Sequence, residues 1–233
     1  TQKFYHFGSE PEVLGTRKLE ATFDPIEVAL KKGGSVLIYV PKAHIYNKQI
    51  YNQFQKYISM CRPIDSPHAL KIIDELKDYI GASTTDKFFY NSDMLEKLGC
   101  GIVIHHGSMP LTARLLLERF TQQGFCRICF ATSTLEQGIN MPFDVVYLDR
   151  FEESKTLSVK NLIGRAGRST SKPEFDYGSV ILRPNAMSRF RKVYRKKNTL
   201  SPKSRLDTTD DKMDEKYEEY KEAINTGEFS DEY

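Results

Sequence analysis

Cysteine is scarce in this chain of 233 residues, which has only four. So few thiols in a chain of this length do not make a disulfide framework and are typical of a reduced, cytosolic protein. Cys126 and Cys129 form a C-x-x-C pair, a spacing found in zinc sites. They fall in the apolar run CRICFAT, however, and residues three apart on a strand point to opposite faces. Because no second C-x-x-C pair or H-x-x-x-H spacing completes a site, we expect no metal centre.

The chain also lacks a long apolar run. Nothing approaches the ~20 apolar residues of a membrane-spanning helix, and no signal peptide is recognisable, so we expect a cytoplasmic protein, or a nuclear one if the organism is eukaryotic. The net charge is only +3, which permits nucleic-acid binding without implying it. The first residue is threonine rather than methionine, so we expect a piece of a longer protein.

Short β-rich runs alternate with helical segments between residues 35 and 184. This alternation favours an α/β fold with a mostly parallel sheet covered on both faces. In such a fold, functional groups lie in the loops after the carboxyl ends of the strands. The predicted strands are SVLIYV (35–40), GIVIHH (101–106), CRICFAT (126–132), DVVYLDR (144–150) and YGSVILRP (177–184). Helices are predicted over 43–58, over 67–81 closed by Gly81, over 92–100 capped by Ser92, over 111–124 ending at Gly124, and over 159–169.

Hydroxyl side chains and glycines follow the third predicted strand. Thr132, Ser133 and Thr134 stand in a row there, and Gly138 and Asn140 come shortly after them. Such residues expose backbone N–H groups that suit phosphate oxygens, particularly at the start of a helix. Capping of a helix by one of the hydroxyls is the alternative interpretation.

The stretch NLIGRAGRST, residues 161–170, places Arg165 and Arg168 one helical turn apart, each beside a glycine. One interpretation is a solvated helix face. The other is a pair of arginines aimed at a phosphate, because a planar and permanently charged guanidinium grips phosphate oxygens bidentately.

Three stretches, IHHGSMPLTARLLLERF, ATSTLEQGINMPFDVV and NLIGRAGRS, resemble consecutive motifs of the second motor domain of superfamily 2 helicases, closest to the Ski2-like group. SVLIYVPK resembles the strand and loop of a further motif of that domain. The resemblance covers about residues 35–184 and implies a RecA-like, three-layer α/β/α domain. It leaves residues 1–34 as a lead-in or the end of an interdomain linker. Residues 185–233 are basic and then acidic. They are predicted to form a charged extension, helical or disordered, or the start of a further domain.

The resemblance implies a role for each matching position. Arg165 and Arg168 would be arginine fingers that approach the triphosphate of an ATP bound to the N-terminal RecA-like domain of the same parent chain. Gly138, Asn140, Asn161 and Gly164 would lie near the nucleotide and the cleft between the domains. Single-stranded nucleic acid, DNA or RNA, would contact Pro41, Lys42, His106, Gly107, Thr132, Ser133 and Thr134.

Two departures from the family pattern have consequences. Asn161 stands where the family usually has glutamine, so a contact to the nucleotide or the hydrolytic water is altered. The chain also has no G-x-x-x-x-G-K-[ST] phosphate loop and no D-E-x-[DH] motif for magnesium. We therefore expect ATP and Mg²⁺ to be held mainly by the other motor domain, and residues 1–233 alone to hydrolyse no ATP. Asp149, after the fourth strand, is interpreted as a strand-end carboxylate rather than a magnesium ligand.

Three alternatives stay open at this point. The domain could be a non-catalytic nucleic-acid-binding or scaffold domain that kept the helicase fold. It could instead be a flavodoxin-like or nucleotide-binding α/β enzyme, which the missing glycine-rich phosphate loop after the first strand disfavours. The basic run 189–197 could be a solvated helix or could extend the nucleic-acid track.

Overall fold

In the computed structural model, five short strands form one all-parallel sheet in the order β2-β3-β1-β4-β5. The structure describes residues 23–47, 49–80, 93–106, 109–132, 141–167 and 178–197. The strands are β1 Val36–Tyr39, β2 Ile102–His105, β3 Ile128–Ala131, β4 Val145–Leu148 and β5 Ser179–Leu182. All five runs predicted as strands are confirmed. Their first residues align, so the strands begin at one level and end at another.

Nine α-helices lie in the described part of the chain, besides one 3₁₀ turn at Pro184–Ala186, and the α-helices cover both faces of the sheet. They are α1 Pro25–Lys31, α2 Lys42–Tyr46, α3 Gln49–Gln53, α4 Gln55–Ile58, α5 Pro67–Tyr79, α6 Asp93–Leu98, α7 Leu111–Gln122, α8 Thr156–Ile163 and α9 Met187–Arg195. One apolar cluster packs the sheet against α5 to α9, and a second packs it against α1, α3 and α4. This is the predicted RecA-like three-layer α/β/α fold.

Helix α1 was not predicted, although its start signal is strong. The Asp24 side chain accepts hydrogen bonds from the backbone N–H groups of Ile26 and Glu27, at 3.0 and 3.3 Å, and Pro25 follows it directly. The same carboxylate accepts hydrogen bonds from Lys56 and from the Tyr57 hydroxyl, at 2.9 and 2.8 Å. One aspartate therefore both begins α1 and ties it to α4.

The single helix predicted over residues 43–58 is divided into α2, α3 and α4. Phe54 leaves the helical conformation, with φ −112° and ψ 15°. Its buried ring packs on Phe130 of β3 and Tyr147 of β4, with ring centroids 5.7 and 5.3 Å away. Packing of the aromatic ring against the sheet thus prevails over the local helix preference.

Cys126 and Cys129 do not point to opposite faces of the sheet, so that prediction was wrong. Cys126 precedes β3, and both side chains are buried in the same apolar cluster. A hydrogen bond with the Cys126 thiol and burial raise the pKa of the Cys129 thiol. Within the described ranges, no group of three or more histidine, cysteine, aspartate or glutamate side chains could hold a metal ion.

The basic run predicted at 189–197 largely forms α9, an amphipathic helix. Its Phe190 and Val193 are buried in the core, and the Phe190 ring contacts Phe151 at 6.1 Å. None of the helices described here is long and apolar enough to cross a membrane. The predicted features at Gly81, at Ser92 and beyond residue 197 lie outside the described residues.

Candidate functional site

The carboxyl ends of β2, β3 and β1 bring together several of the residues predicted to contact nucleic acid. The Thr132 backbone N–H donates to the carbonyl oxygen of His105 at 3.2 Å, and the Val40 backbone N–H donates to that of Ala131 at 2.9 Å. His106, Thr132 and Pro41, which follow these strands, therefore lie side by side at one edge of the sheet. Pro41 is also the N-cap of α2, so Lys42 is the first residue of that helix.

A cleft of about 680 Å³ opens at this carboxyl edge. Pro41 and Thr132 line one part of it. The rest is formed by residues that follow β4 and β5 and by the start of α8 and α9, and of these residues only Arg189, in the basic run 189–197, had been considered for the nucleic-acid track. They are Asp149, Arg150, Phe151, Glu152, Lys155, Arg183, Asn185, Ala186 and Arg189.

Asp149 lies at the base of the cleft, and its side chain is completely buried. Its Oδ1 accepts a hydrogen bond from Nε of Arg183 at 2.7 Å and one from Nε2 of Gln53 at 3.4 Å. Nδ1 of His44 lies 3.6 Å from its other oxygen. The carboxylate thus joins β4 to the end of β5 and to α2 and α3, as befits the strand-end carboxylate that the sequence suggested.

The glycine–arginine stretch lies elsewhere. The Phe143 backbone N–H donates to the carbonyl oxygen of Arg165 at 3.1 Å, and the Gly167 N–H donates to that of Phe143 at 2.8 Å. Phe143 precedes β4, so this backbone is held at the amino ends of the strands, after α8 has crossed the sheet. Gly167 has φ +74°, a conformation that favours glycine. The Arg165 backbone therefore does not lie at the edge that carries Pro41 and Thr132.

The Arg165 side chain is only 9% exposed. Burial raises the pKa of Glu118 on α7, and the guanidinium groups of Arg114 and Arg165 oppose that rise. Burial, together with the charges of Arg114, His106 and Arg165, lowers the pKa of His105 to about 4. His105 is fully buried and His106 is partly exposed, as the alternation of side chains along a strand predicts.

The remaining predicted site residues divide into two groups. Asn161 is exposed near the end of α8, and Gly164 ends that helix by donating its N–H to the Lys160 carbonyl oxygen at 2.8 Å. Outside the described residues lie Arg168, Gly138, Asn140, Gly107, Ser133 and Thr134. Sequence reasoning missed the roles of Arg183 and Glu118, for which no local pattern gave a signal.

Known proteins resemble this chain over the same region. Residues 71–170 match the family model described as the helicase conserved C-terminal domain. ATP-dependent DNA helicase Hel308 from Caldivirga maquilingensis is 26% identical over 164 residues, which cover 66% of this chain and 20% of that protein. Hachiman protein HamB from Bacillus cereus is 28% identical over 146 residues, 60% of this chain and 13% of that protein.

A third relative acts, by its name, on RNA. The DExH-box ATP-dependent RNA helicase DExH13 from Arabidopsis thaliana is 33% identical over 96 residues, which cover 37% of this chain and 4% of that protein. The chain thus spans a fifth or less of the length of these three relatives. The family match and these similarities support a superfamily 2 helicase C-terminal domain, and the all-parallel sheet with its flanking helices is consistent with the RecA-like fold of such a domain.

Proposed function

We propose that this chain is the second motor domain of an ATP-dependent nucleic-acid helicase or translocase. The observation that carries the proposal is the separation of two edges of one sheet. Residues suited to a nucleic-acid backbone lie at the carboxyl ends of the strands, and the glycine–arginine stretch is tied to Phe143 at the amino ends. A domain with both edges could couple a nucleotide on one side to a strand on the other.

At the amino edge, Arg165 and Arg168 would act as arginine fingers on the triphosphate. A guanidinium grips phosphate oxygens bidentately and stabilises the charge that develops during phosphoryl transfer. Such a finger is worth ~10³–10⁵ in turnover in related phosphoryl transfer. Gly138, Asn140, Asn161 and Gly164 would stand close to the nucleotide.

The side chains present suit phosphate rather than metal. Arginines are the candidate ligands at the amino edge, and no described trio of metal-ligating side chains converges. Mg²⁺, which neutralises phosphate charge when bound, would therefore be held with ATP mainly by an N-terminal RecA-like domain of the same parent chain. On this proposal, residues 1–233 alone would hydrolyse no ATP.

At the carboxyl edge, a single strand would run past Pro41, Lys42, His106 and Thr132, continuing to Gly107, Ser133 and Thr134. Closure of the two motor domains on ATP and their opening after hydrolysis would move the domain along the strand. Phosphate contacts do not distinguish DNA from RNA, and relatives of both kinds are similar to the chain.

A second candidate function is a non-catalytic nucleic-acid-binding or scaffold domain that retains the helicase fold. One observation favours it: Arg165 is 9% exposed, and its charge acts on Glu118 and His105 inside the domain. In that case the guanidinium would stabilise the fold instead of contacting a nucleotide.

ATP hydrolysis by the complete parent protein separates the two candidates. Turnover is measured with single-stranded DNA and single-stranded RNA for the wild type, Arg165→Ala, Arg165→Lys and the control Arg62→Ala, which lies in an exposed loop. The motor proposal predicts stimulated turnover that falls ~10³-fold or more in Arg165→Ala. It also predicts little recovery in Arg165→Lys, because lysine lacks the planar fork. If the wild type hydrolyses no ATP with either nucleic acid, the motor proposal fails and the scaffold function remains.

A further inference from the structure

The cleft at the carboxyl edge is lined by four cationic side chains, two from the segment between β4 and α8 and two from the end of β5 and α9. Arg150 follows β4, Lys155 precedes α8, Arg183 follows β5, and Arg189 lies on α9. Two acidic side chains, Asp149 and Glu152, also line the cleft. Two pairs of cations from separate parts of the chain thus converge on one cavity, although the net charge of the whole protein is only +3.

Arg183 is the most firmly held of these cations. Its Nε donates to the buried Asp149 carboxylate at 2.7 Å, and a second guanidinium nitrogen contacts the same oxygen. One third of the Arg183 side chain, 34%, nevertheless stays exposed. The guanidinium is therefore oriented by Asp149 before any ligand arrives, which lowers the entropic cost of binding an anion.

The other three cations are held less firmly than Arg183. Lys155 and Arg189 form exposed ion pairs that a bound anion could replace. Nζ of Lys155 lies 3.4 Å from Oε1 of Glu152, and Nε of Arg189 lies 3.8 Å from Oε1 of Glu153. All four of these side chains are about half exposed. Exposed ion pairs of this kind contribute little to stability. Arg150 is exposed, and no acidic residue in the described part of the chain forms an ion pair with it.

We propose that this cleft binds the phosphates of a single-stranded nucleic acid, with Arg150, Arg183 and Arg189 as its contacts. The inference rests on the proposed function, because Pro41 and Thr132 line the same cleft. It extends the strand path from the end of β3 across β1 and β4 to β5, about 14 Å at ordinary strand spacing. A string of phosphates fits four cations spread over that distance better than a single small anion does.

The test is binding of fluorescently labelled single-stranded DNA and RNA to the complete parent protein over a range of salt concentrations. The variant is Arg150→Gln/Arg189→Gln. The matched control is Arg62→Gln/Lys71→Gln, which removes the same charge from two exposed residues that do not line the cleft. Arg62 lies in the loop whose Ile64 N–H donates to the Gly99 carbonyl oxygen at 2.8 Å, before β2 begins.

The salt slope is the slope of the logarithm of the binding constant against the logarithm of the salt concentration. Loss of two phosphate contacts to a single strand should reduce its magnitude by about 1.4. At ~1 M salt such contacts contribute almost nothing, so wild type and variant should bind about equally there. At ~0.1 M salt the variant should bind about 25-fold more weakly than the wild type. The control should keep the wild-type slope. An unchanged slope in Arg150→Gln/Arg189→Gln would overturn the inference. So would unchanged nucleic-acid affinity combined with lost binding of a polyglutamate peptide, since that result would make the cleft a protein-docking site.

ATP hydrolysis measured on the same samples keeps the two proposals apart. If the wild type shows stimulated hydrolysis while the variant keeps its salt slope, the motor proposal stands and the cleft proposal fails. If the wild type hydrolyses no ATP but the slope falls in the variant, the cleft proposal stands and the motor proposal fails.

Discussion

Acid should destabilise this domain through His105. The side chain is fully buried at the end of β2, and burial lowers its pKa from 6.5 to about 4. The folded protein therefore keeps His105 neutral where the unfolded chain takes up a proton. Because the folded-state pKa is the lower one, stability is complete above about pH 6.5 and is lost as the pH falls toward about 4.

The size of the effect follows from the two pKa values. Between about pH 7.5 and about pH 5, this one group should reduce the free energy of unfolding by about 2 kcal/mol. His105→Leu removes the titrating group. Neither of the ring nitrogens it deletes has a hydrogen-bond partner among the residues that the structure describes. The free energy of unfolding of the variant should therefore fall by about 2 kcal/mol less than that of the wild type over the same pH interval.

Urea unfolding at both pH values, followed by circular dichroism, measures this difference. Glu118 titrates in the opposite sense, because its pKa is raised by burial. It contributes to wild type and variant alike, so the comparison isolates the histidine. Equal losses of stability in the two proteins would refute the argument that His105 stays neutral in the folded domain.

Two further predictions concern the two edges of the sheet. Asp149→Asn should lower the free energy of unfolding by about 1–3 kcal/mol, because it leaves the partly buried Arg183 without its carboxylate; a loss below about 0.5 kcal/mol in chemical denaturation would contradict this. At the amino edge, a Cβ on Gly178 would lie 2.4 Å from the backbone carbon of Ala166. Gly178→Ala should therefore displace the glycine–arginine stretch and reduce ATP hydrolysis by the parent protein about 10²-fold, with nucleic-acid affinity retained. Gly99→Ala, where the nearest atom is 3.3 Å away, is its control, and equal activity of the two variants would rule out the displacement.

The sheet could be predicted from the sequence because each strand is a short apolar run between helical patterns. The start of α1 could have been predicted as well, since Asp24 followed by Pro25 is a standard helix-start signal. The break between α3 and α4 could not, because it depends on Phe54 packing against β3 and β4, which are distant in sequence.

The site could be predicted only in part, for the same reason. The residues that directly follow β1, β2 and β3 meet at one edge, as a parallel sheet requires. The partners of Asp149 are separated from it by 96 residues for Gln53 and 34 for Arg183, so no local pattern reveals them. The position of Arg165 follows from length: α8, with eight residues, spans ~12 Å. A four-residue strand is about as long, so the helix carries the chain to the opposite edge.

Single-turnover ATP hydrolysis by the complete parent protein, saturated with single-stranded nucleic acid, tests the central claim most directly. Wild type and Arg168→Ala are compared, and ATP affinity is measured on the same samples. An arginine finger predicts a rate that falls ~10³-fold or more while ATP affinity changes far less, because the guanidinium acts mainly on the charge of the transition state. Equal rates in the two proteins would contradict the account.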